Sequence, residues 1–533
     1  MPYAFTELPS RSSFTLFGKL LCIAAVSFTL FGAKVLFIRN FGSVVPYWDQ
    51  WDGEADLLYK SYINSTLSFA KLLSAHNEHR ILTARVFSLA LFELDGGWDP
   101  RLQMIANAVL HVGVIILLVL IIQRIIRPTQ FLLLAVFSTL LFVLPIGWEN
   151  LLAGFQSQFY FLLMFSLLAL IGLASATAFS IVWWAGVLCL VAAYFSMASG
   201  ALTAVAALAV VVMQILSGRR KGSREYIAGV ALLVVAGVMI LFVQQVPHHE
   251  IYKAHNVTEF VQALIHCLTY PRTNPYVGIW VNLPLVGYAC AILKVRPARQ
   301  SPHWIILGIG IWLFAQSLSL SYGRAVLVNS SRYLDVIIIG LPVNFGILLF
   351  VQNRLGTNRQ RSVAVLATIA WLAVVVPGLV WNTLASSFPA VVEKGAQGRE
   401  QERNVLAYMK TGNLAELQGK SSHAIPYPDP VRLASLLSDP TVRLVLPDPI
   451  RPPDVDEKQR LDRTLLKGKL RSITVLVKET ILRYALVMIG LGIAFAFGAG
   501  MTGQSRASSK FLREMLRPGA VEVPDPKRSG HHY

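Results

Sequence analysis

The chain has 533 residues, of which 55% are hydrophobic and only 14% charged, with a formal net charge of +18. Soluble proteins carry roughly 25% charged residues, so this composition excludes an ordinary globular domain and places the chain in a bilayer. Its apolar runs of about 17–25 residues exclude a β-barrel, and its basic excess falls in short clusters between those runs, where the positive-inside bias explains it without nucleic acid as a partner.

The first run, near 14–38, follows Arg11 and contains Lys19. It is longer than the about 7–15 residue core of a signal peptide and no A-x-A site follows, so it reads as a retained spanning helix. Next comes a long polar loop, 39–102, holding "PYWDQWDGEAD" (46–56) and "SAHNEHRIL" (74–82). Asp49 and Asp52 are close enough to share a helical face if the turn continues, with Glu54 and Asp56 beyond. Trp48 and Trp51 suit the membrane interface. Two readings stand: a solvated acidic loop with an aromatic belt, or an aspartate held partly desolvated as a general base. In "HNEHR", His76, Glu78, His79 and Arg80 fall within five residues. The order is neither H-E-x-x-H nor H-x-x-E-H, so zinc-protease chemistry is poorly supported. An interfacial polar cap, or a looser divalent-cation site of Asp49 and His79, stays open.

The stretch 81–94 carries Arg85 near its middle and is too short to cross, so it reads as an interfacial helix. Further spanning helices are expected near 103–126, 130–147, 158–175, 179–195, 200–216, 226–245, 277–294, 303–320, 333–351, 363–384 and 479–500, about twelve in all. If 81–94 does not cross and the N-terminus is cytoplasmic, the basic clusters 123–128, 217–225, 294–299, 352–361 and the tail with Arg506, Lys510, Arg513 and Arg517 all fall inside. If it crossed, all five would move outside.

The same topology puts the motif-like connections on the outer face. "GWEN" and "GFQSQF" offer Trp148, Glu149, Asn150, Gln156 and Gln158, the carboxamides, carboxylate and aromatic ring that suit a sugar, though helix capping explains them nearly as well. "SYGRAVLVNSSRY" places Arg324, Arg332 and Tyr333 at the rim, where an arginine fork matches phosphate oxygens or simply snorkels. "HHE" at 248–250 reads as a solvated loop. The segment 385–478, rich in Pro and Asp, shows no catalytic motif and suits a small cap of short strands or helices. Cys22, Cys189 and Cys290 fall in expected helices and Cys267 in a loop, with neither a disulfide framework nor a CxxC site. The expected architecture is an all-α polytopic membrane protein. It comprises a helical domain over 1–384 with its outer loop 39–102, an extracytoplasmic segment 385–478, a last helix 479–500 and a basic tail 501–533.

The plan resembles the GT-C superfamily of integral membrane glycosyltransferases: a first helix ending in acidic residues, a long first outer loop with interfacial helices, many further helices, and an outer segment near the C-terminus. The resemblance implies a plasma-membrane enzyme with both termini cytoplasmic and an extracytoplasmic site. It would move a sugar from a polyprenyl-phosphate-linked donor to a glycan, lipid or protein acceptor. The family's catalytic aspartate would match Asp49, or less securely Asp52. Glu78, His79 and Arg80 would then orient base or acceptor, Arg324 and Arg332 would meet the donor phosphate, and His76 and Tyr333 would help bind the substrate. A carrier or flippase for a lipid-linked glycan, and a polysaccharide polymerase or ligase, are the alternatives. No cofactor is required by this scheme unless a divalent cation assists.

Overall fold

A computed structural model describes residues 16–272 and 274–515, with side chains up to 502. Arg11 and Arg517, and the side chains of Arg506, Lys510 and Arg513, therefore lie outside the described residues. Among the described residues the chain is helical and has no strand beyond an isolated bridge between His76 and His79. Among the described residues nine helices are long and apolar enough to cross a membrane: α1 (Leu16–Phe41), α2 (Pro100–Gln123), α3 (Gly154–Ser175), α4 (Ala198–Leu216), α5 (Ser223–Leu241), α6 (His303–Gly323), α7 (Ser331–Arg354), α8 (Asn358–Thr411) and α9 (Ala485–Thr502). A pair bent by 46°, Pro275–Val281 and Leu283–Val295, is a tenth if counted as one span.

The difference from about twelve has a local cause. Expected crossings at 130–147 and 179–195 form shorter apolar helices, Pro128–Val143 and Ile181–Tyr194. The first stops because Leu144 precedes Pro145 and turns extended, as the residue before a proline does. At about 1.5 Å per residue neither reaches the roughly 30 Å of a hydrocarbon core. Cys267, placed in a loop by the sequence, lies on the helix Val257–Thr269. The helix expected at 363–384 instead runs on through a π-helical turn at Thr383–Ser387 to Thr411, so the start of the segment 385–478 is a helical rod, and that segment holds no strand.

The first and last described spans pack closely, because small residues let their backbones approach. A Cβ on Gly492 would fall on Thr29, and one on Gly32 on Ala485 and Ile489. The basic connections meet at one end of the bundle: Arg219 donates to the Arg296 carbonyl (2.6 Å), and Arg299 reaches Glu225 (3.1 Å). Arg220 is buried, donating to Glu225 (2.6 Å) and to the carbonyls of Leu173, Ala174 and Ala176. The cluster 217–225 thus carries structural pairs as well as a topological signal.

Elsewhere the segments 39–102 and 385–478 form one core. Trp51, Leu58, Tyr59 and Trp98 pack with Val405, Leu433, Leu437, Val442 and Leu446. Residues Trp51–Lys60 form a π-helix. On one side of it Asp52 and Asp56 share Arg432 (2.8 and 2.7 Å), and Asp52 also accepts from Tyr427. Within the core Glu54 is buried but accepts hydrogen bonds from Gln50, Ser88, Trp98 and Gln103, at 2.7 to 3.1 Å. Burial pushes its carboxyl up, against those donors. The helix Leu82–Asp95 is not among the spans, and its buried Arg85 donates to the carbonyls of Lys71, Leu72 and Ser74 (3.1, 2.8 and 2.6 Å). That arginine caps the preceding short helix, Phe69–Leu73, together with Ser74, which donates to the Lys71 carbonyl, and Arg80, which donates to that of Leu73.

Gly492→Val is expected to push α9 off α1 and destabilise the protein by about 1–3 kcal/mol, as overpacking does. The thermal midpoint in detergent, measured against Gly490→Val, checks it, since no heavy atom lies within 4 Å of a Cβ at Gly490.

Candidate functional site

The sequence HNEH folds as a tight two-residue turn. His76 N–H donates to the His79 carbonyl (2.7 Å) and His79 N–H returns to that of His76 (3.0 Å), with Asn77 at φ 52°. Asparagine is one of the few side chains that enter this left-handed region readily. The turn aims its flanking side chains at separate elements. His76 Nε2 lies 3.6 Å from Asp49 Oδ2, and its ring stands edge-on to Phe155 with centroids 5.0 Å apart. Glu78 accepts from Arg324 Nη2 through both oxygens (2.7 and 2.8 Å) and lies 2.7 Å from His249 Nδ1. His79 Nδ1 faces the Ala198 amide at 3.4 Å.

Asp49 and Asp52 do not share a face. Trp48 takes φ 49° and donates its N–H to the Pro426 carbonyl (2.7 Å), so the chain turns just ahead of the π-helix. Asp49 is left at that turn beside His76, whereas Asp52, on the helix, is held by Arg432 and Tyr427. Burial pushes the Asp49 carboxyl up, but the His76 imidazole and the more distant Arg332 and His249 together hold it below the usual aspartate range. The Glu78 carboxyl is pushed down to about 2 because hydrogen bonds from Arg324 and His249 outweigh burial, and burial pushes the His79 imidazole down to about 4.

Two cavities lie beside these groups. One, of about 330 Å³, is polar and aromatic: Asp49, Glu149, Gln156, Arg332 and Lys394 line it with Tyr47, Trp48 and Trp148. Arg332 Nε lies 3.2 Å from Glu149, which also accepts from Ser330 Oγ (2.9 Å). The other, of about 400 Å³, is walled largely by apolar side chains of α3 to α7, including Leu162, Ile240, Val243, Leu320 and Ile337, and its polar end carries Glu78, His79, Lys253, Arg324 and Tyr333. The neighbours Arg332 and Tyr333 line one cavity each, and the turn 76–79 adds Glu78 and His79 to the apolar one while His76 holds Asp49 of the other.

Other expected site residues sit outside both cavities. Asn150 is buried and donates to the Arg332 carbonyl (2.8 Å) and to Asp335 (2.9 Å), so it ties the start of α7 to Trp148–Leu151. Arg80 donates to the Leu73 carbonyl (2.9 Å) and closes its own loop. Arg324, by contrast, lines the apolar cavity but is already matched by Glu78. Conversely His249, read as part of a solvated loop, is bound to Glu78, and Lys394 carried no sequence signal, since its partner Tyr47 lies at the far end of the chain. Among the described residues no group of three or more His, Cys, Asp or Glu side chains is arranged to hold a metal ion. Asp49 turns to His76, and His79 to a backbone amide, so no step is routed through a divalent cation.

No protein-family model matches the chain, and no curated protein does. Among solved structures it is similar to the archaeal oligosaccharyltransferase AglB from Archaeoglobus fulgidus in complex with an inhibitory peptide and a dolichol-phosphate, at 12% identity and a TM-score of 0.44. The match covers 78% of this chain, and the chain spans 60% of the length of that protein.

The thermal midpoint should fall in two stages as pH drops. His79, whose folded value of about 4 lies below its ordinary 6.5, takes up its proton more readily unfolded, so its share of stability is complete above pH 6.5 and lost between 6.5 and 4. Glu78, with a folded value of about 2 against an ordinary 4.5, contributes stability present above 4.5 and lost from there towards 2. Glu78→Gln should shrink the lower stage, to which Asp49 also contributes, and leave the upper one, as read by melting curves over this pH range.

Proposed function

We propose that this protein is a membrane glycosyltransferase that moves a sugar from a polyprenyl-phosphate-linked donor to an acceptor hydroxyl, with Asp49 as the base. The observation that carries the reading is the pairing of cavities: an apolar one of about 400 Å³ with cations at its polar end, and a polar, tryptophan-lined one of about 330 Å³ whose Asp49 is held by the same turn 76–79. The apolar cavity suits an isoprenoid tail and the polar one a sugar ring, stacked on Trp48 or Trp148 and hydrogen-bonded by Gln156. The reacting bond would lie between them.

The acceptor oxygen attacks the anomeric carbon while its proton passes to Asp49, and the bond from that carbon to the phosphate oxygen breaks. A carboxylate with a lowered pKa is a weak base, so it takes the proton late, as the attacking oxygen loses electron density and its proton grows acidic. His76 holds Asp49 and keeps it ionised. Arg332, Tyr333 and Arg324 line the two cavities beside the point where charge would develop on the departing phosphate, typically the largest electrostatic contribution in such chemistry. Asp52 has its oxygens on Arg432 and Tyr427 and serves to seat the C-terminal segment. The end bearing the basic connections would face the cytoplasm and the two cavities the opposite side of the plasma membrane.

The carrier reading calls for a polar path near the middle of the bundle. Lys34, His111 and Asp335 are buried there, contrary to spans read as mostly free of charge, but they line a space of only about 10 Å³.

Asp49→Asn should lower transfer by about a hundred- to ten-thousandfold without shifting the melting temperature. Asp52→Asn should leave most of the transfer and instead make the segment 385–478 sensitive to protease. Transfer from a radiolabelled polyprenyl-phosphate sugar in proteoliposomes, run beside limited proteolysis, separates the two, and undiminished transfer by Asp49→Asn removes Asp49 from the role.

A further inference from the structure

Lys394 lies on the outer half of α8 and lines the Asp49 cavity, yet it is only 5% exposed. Its Nζ sits over the ring of Tyr47, 2.8 Å from the centroid, and among the described residues no side-chain or backbone acceptor hydrogen-bonds it. An ammonium carries three donors, and a buried charge is kept only where something pairs with it; contact with a ring face is a weak substitute. A buried polar atom left in this state calls for an explanation.

The neighbouring charges sharpen the point. Arg332 is matched by Glu149, Asp49 by His76, and Glu78 by Arg324 and His249. Glu393 also reaches the cavity, but it is exposed and its carboxylate accepts from Gln397 (2.9 Å). Lys394 is therefore the one buried cation at this site without a hydrogen-bond acceptor among the described residues, and the Glu149 carboxylate, already bound to Arg332 and Ser330, acts on it only at longer range.

We infer that Lys394 binds an oxyanion, a carboxylate or phosphate oxygen, carried by the molecule that enters the Asp49 cavity. The inference rests on that cavity being a transfer site and adds the charge of what it takes. Two sources share this chemistry: an acidic saccharide lying against Trp48 and Trp148, or the phosphate of a polyprenyl donor reaching across from the apolar cavity. Either would give the ammonium a charge-assisted hydrogen bond in a site largely shielded from water, while a neutral sugar would leave it unpaired.

The test is isothermal titration of the full-length protein in nanodiscs with three probes: glucuronate, glucose and a short-chain polyprenyl monophosphate. Lys394→Met is expected to weaken one anionic probe by at least about tenfold, the worth of one hydrogen bond to a charged group, and to leave glucose unchanged. Loss of glucuronate binding assigns the site to an acidic saccharide, and loss of the lipid phosphate assigns it to the donor. Lys394→Arg, which keeps the charge, should bind like the wild type, and Lys394→Gln replaces the methionine variant if that one does not insert. Titrations of wild type and the uncharged variant that agree for both anionic probes, including a shared absence of binding, overturn the inference. Asp49→Asn separates the two proposals, because it should lose transfer and keep anion binding; a failure of Asp49 as base would leave the Lys394 titrations as they are.

Discussion

The turn from His76 to His79, closed by two backbone hydrogen bonds and made possible by the left-handed Asn77, is the constraint on which the region around both cavities depends. Four residues reach the Asp49 loop, the N-terminal end of α4, the loop carrying His249 and the end of α6. Each contact alone is modest. Their common anchor sets one short piece of backbone as a partition that lines the apolar cavity through Glu78 and His79 and holds Asp49 of the polar one through His76.

Charge pairing around that partition sorts the acidic residues by role. Glu54 is buried and satisfied by four neutral donors, which suits a group that holds the core of the outer segments together. Asp52 and Asp56 are spent on Arg432, and Glu78 on Arg324 and His249. Asp49 alone among them keeps a half-exposed carboxylate in a cavity with only a long contact to one imidazole. It is thus ionised, oriented and still open to the cavity, as the proposed role of base requires.

Below the rim the bundle obeys the bilayer's demand that polar groups find partners inside the protein. Asp335 accepts from Asn150, and Asn150 also holds the Arg332 carbonyl, so the buried group and the cavity-facing arginine move as one unit. Asn150 therefore acts on the site through the backbone, although its residue type suggested direct contact with a sugar.

The sequence by itself determined the class of molecule, the helical periodicity of the bundle and the division of its connections into basic and motif-bearing sets, because hydrocarbon thickness and the cost of buried charge act on local stretches of chain. It also singled out Asp49, His76, Glu78, Glu149, Gln156 and Arg332, since unusual polar density beside a spanning run is visible without partners. Tertiary structure decided which of them meet. Asp49 and Asp52 are three positions apart, yet they face different elements because Trp48 turns the chain ahead of a π-helix. His249 and Lys394 become site residues only through contacts 171 positions away in the chain and with Tyr47. Pairings over such distances are set by how helices stack and by which charge finds a partner first. No local stretch of sequence contains that information.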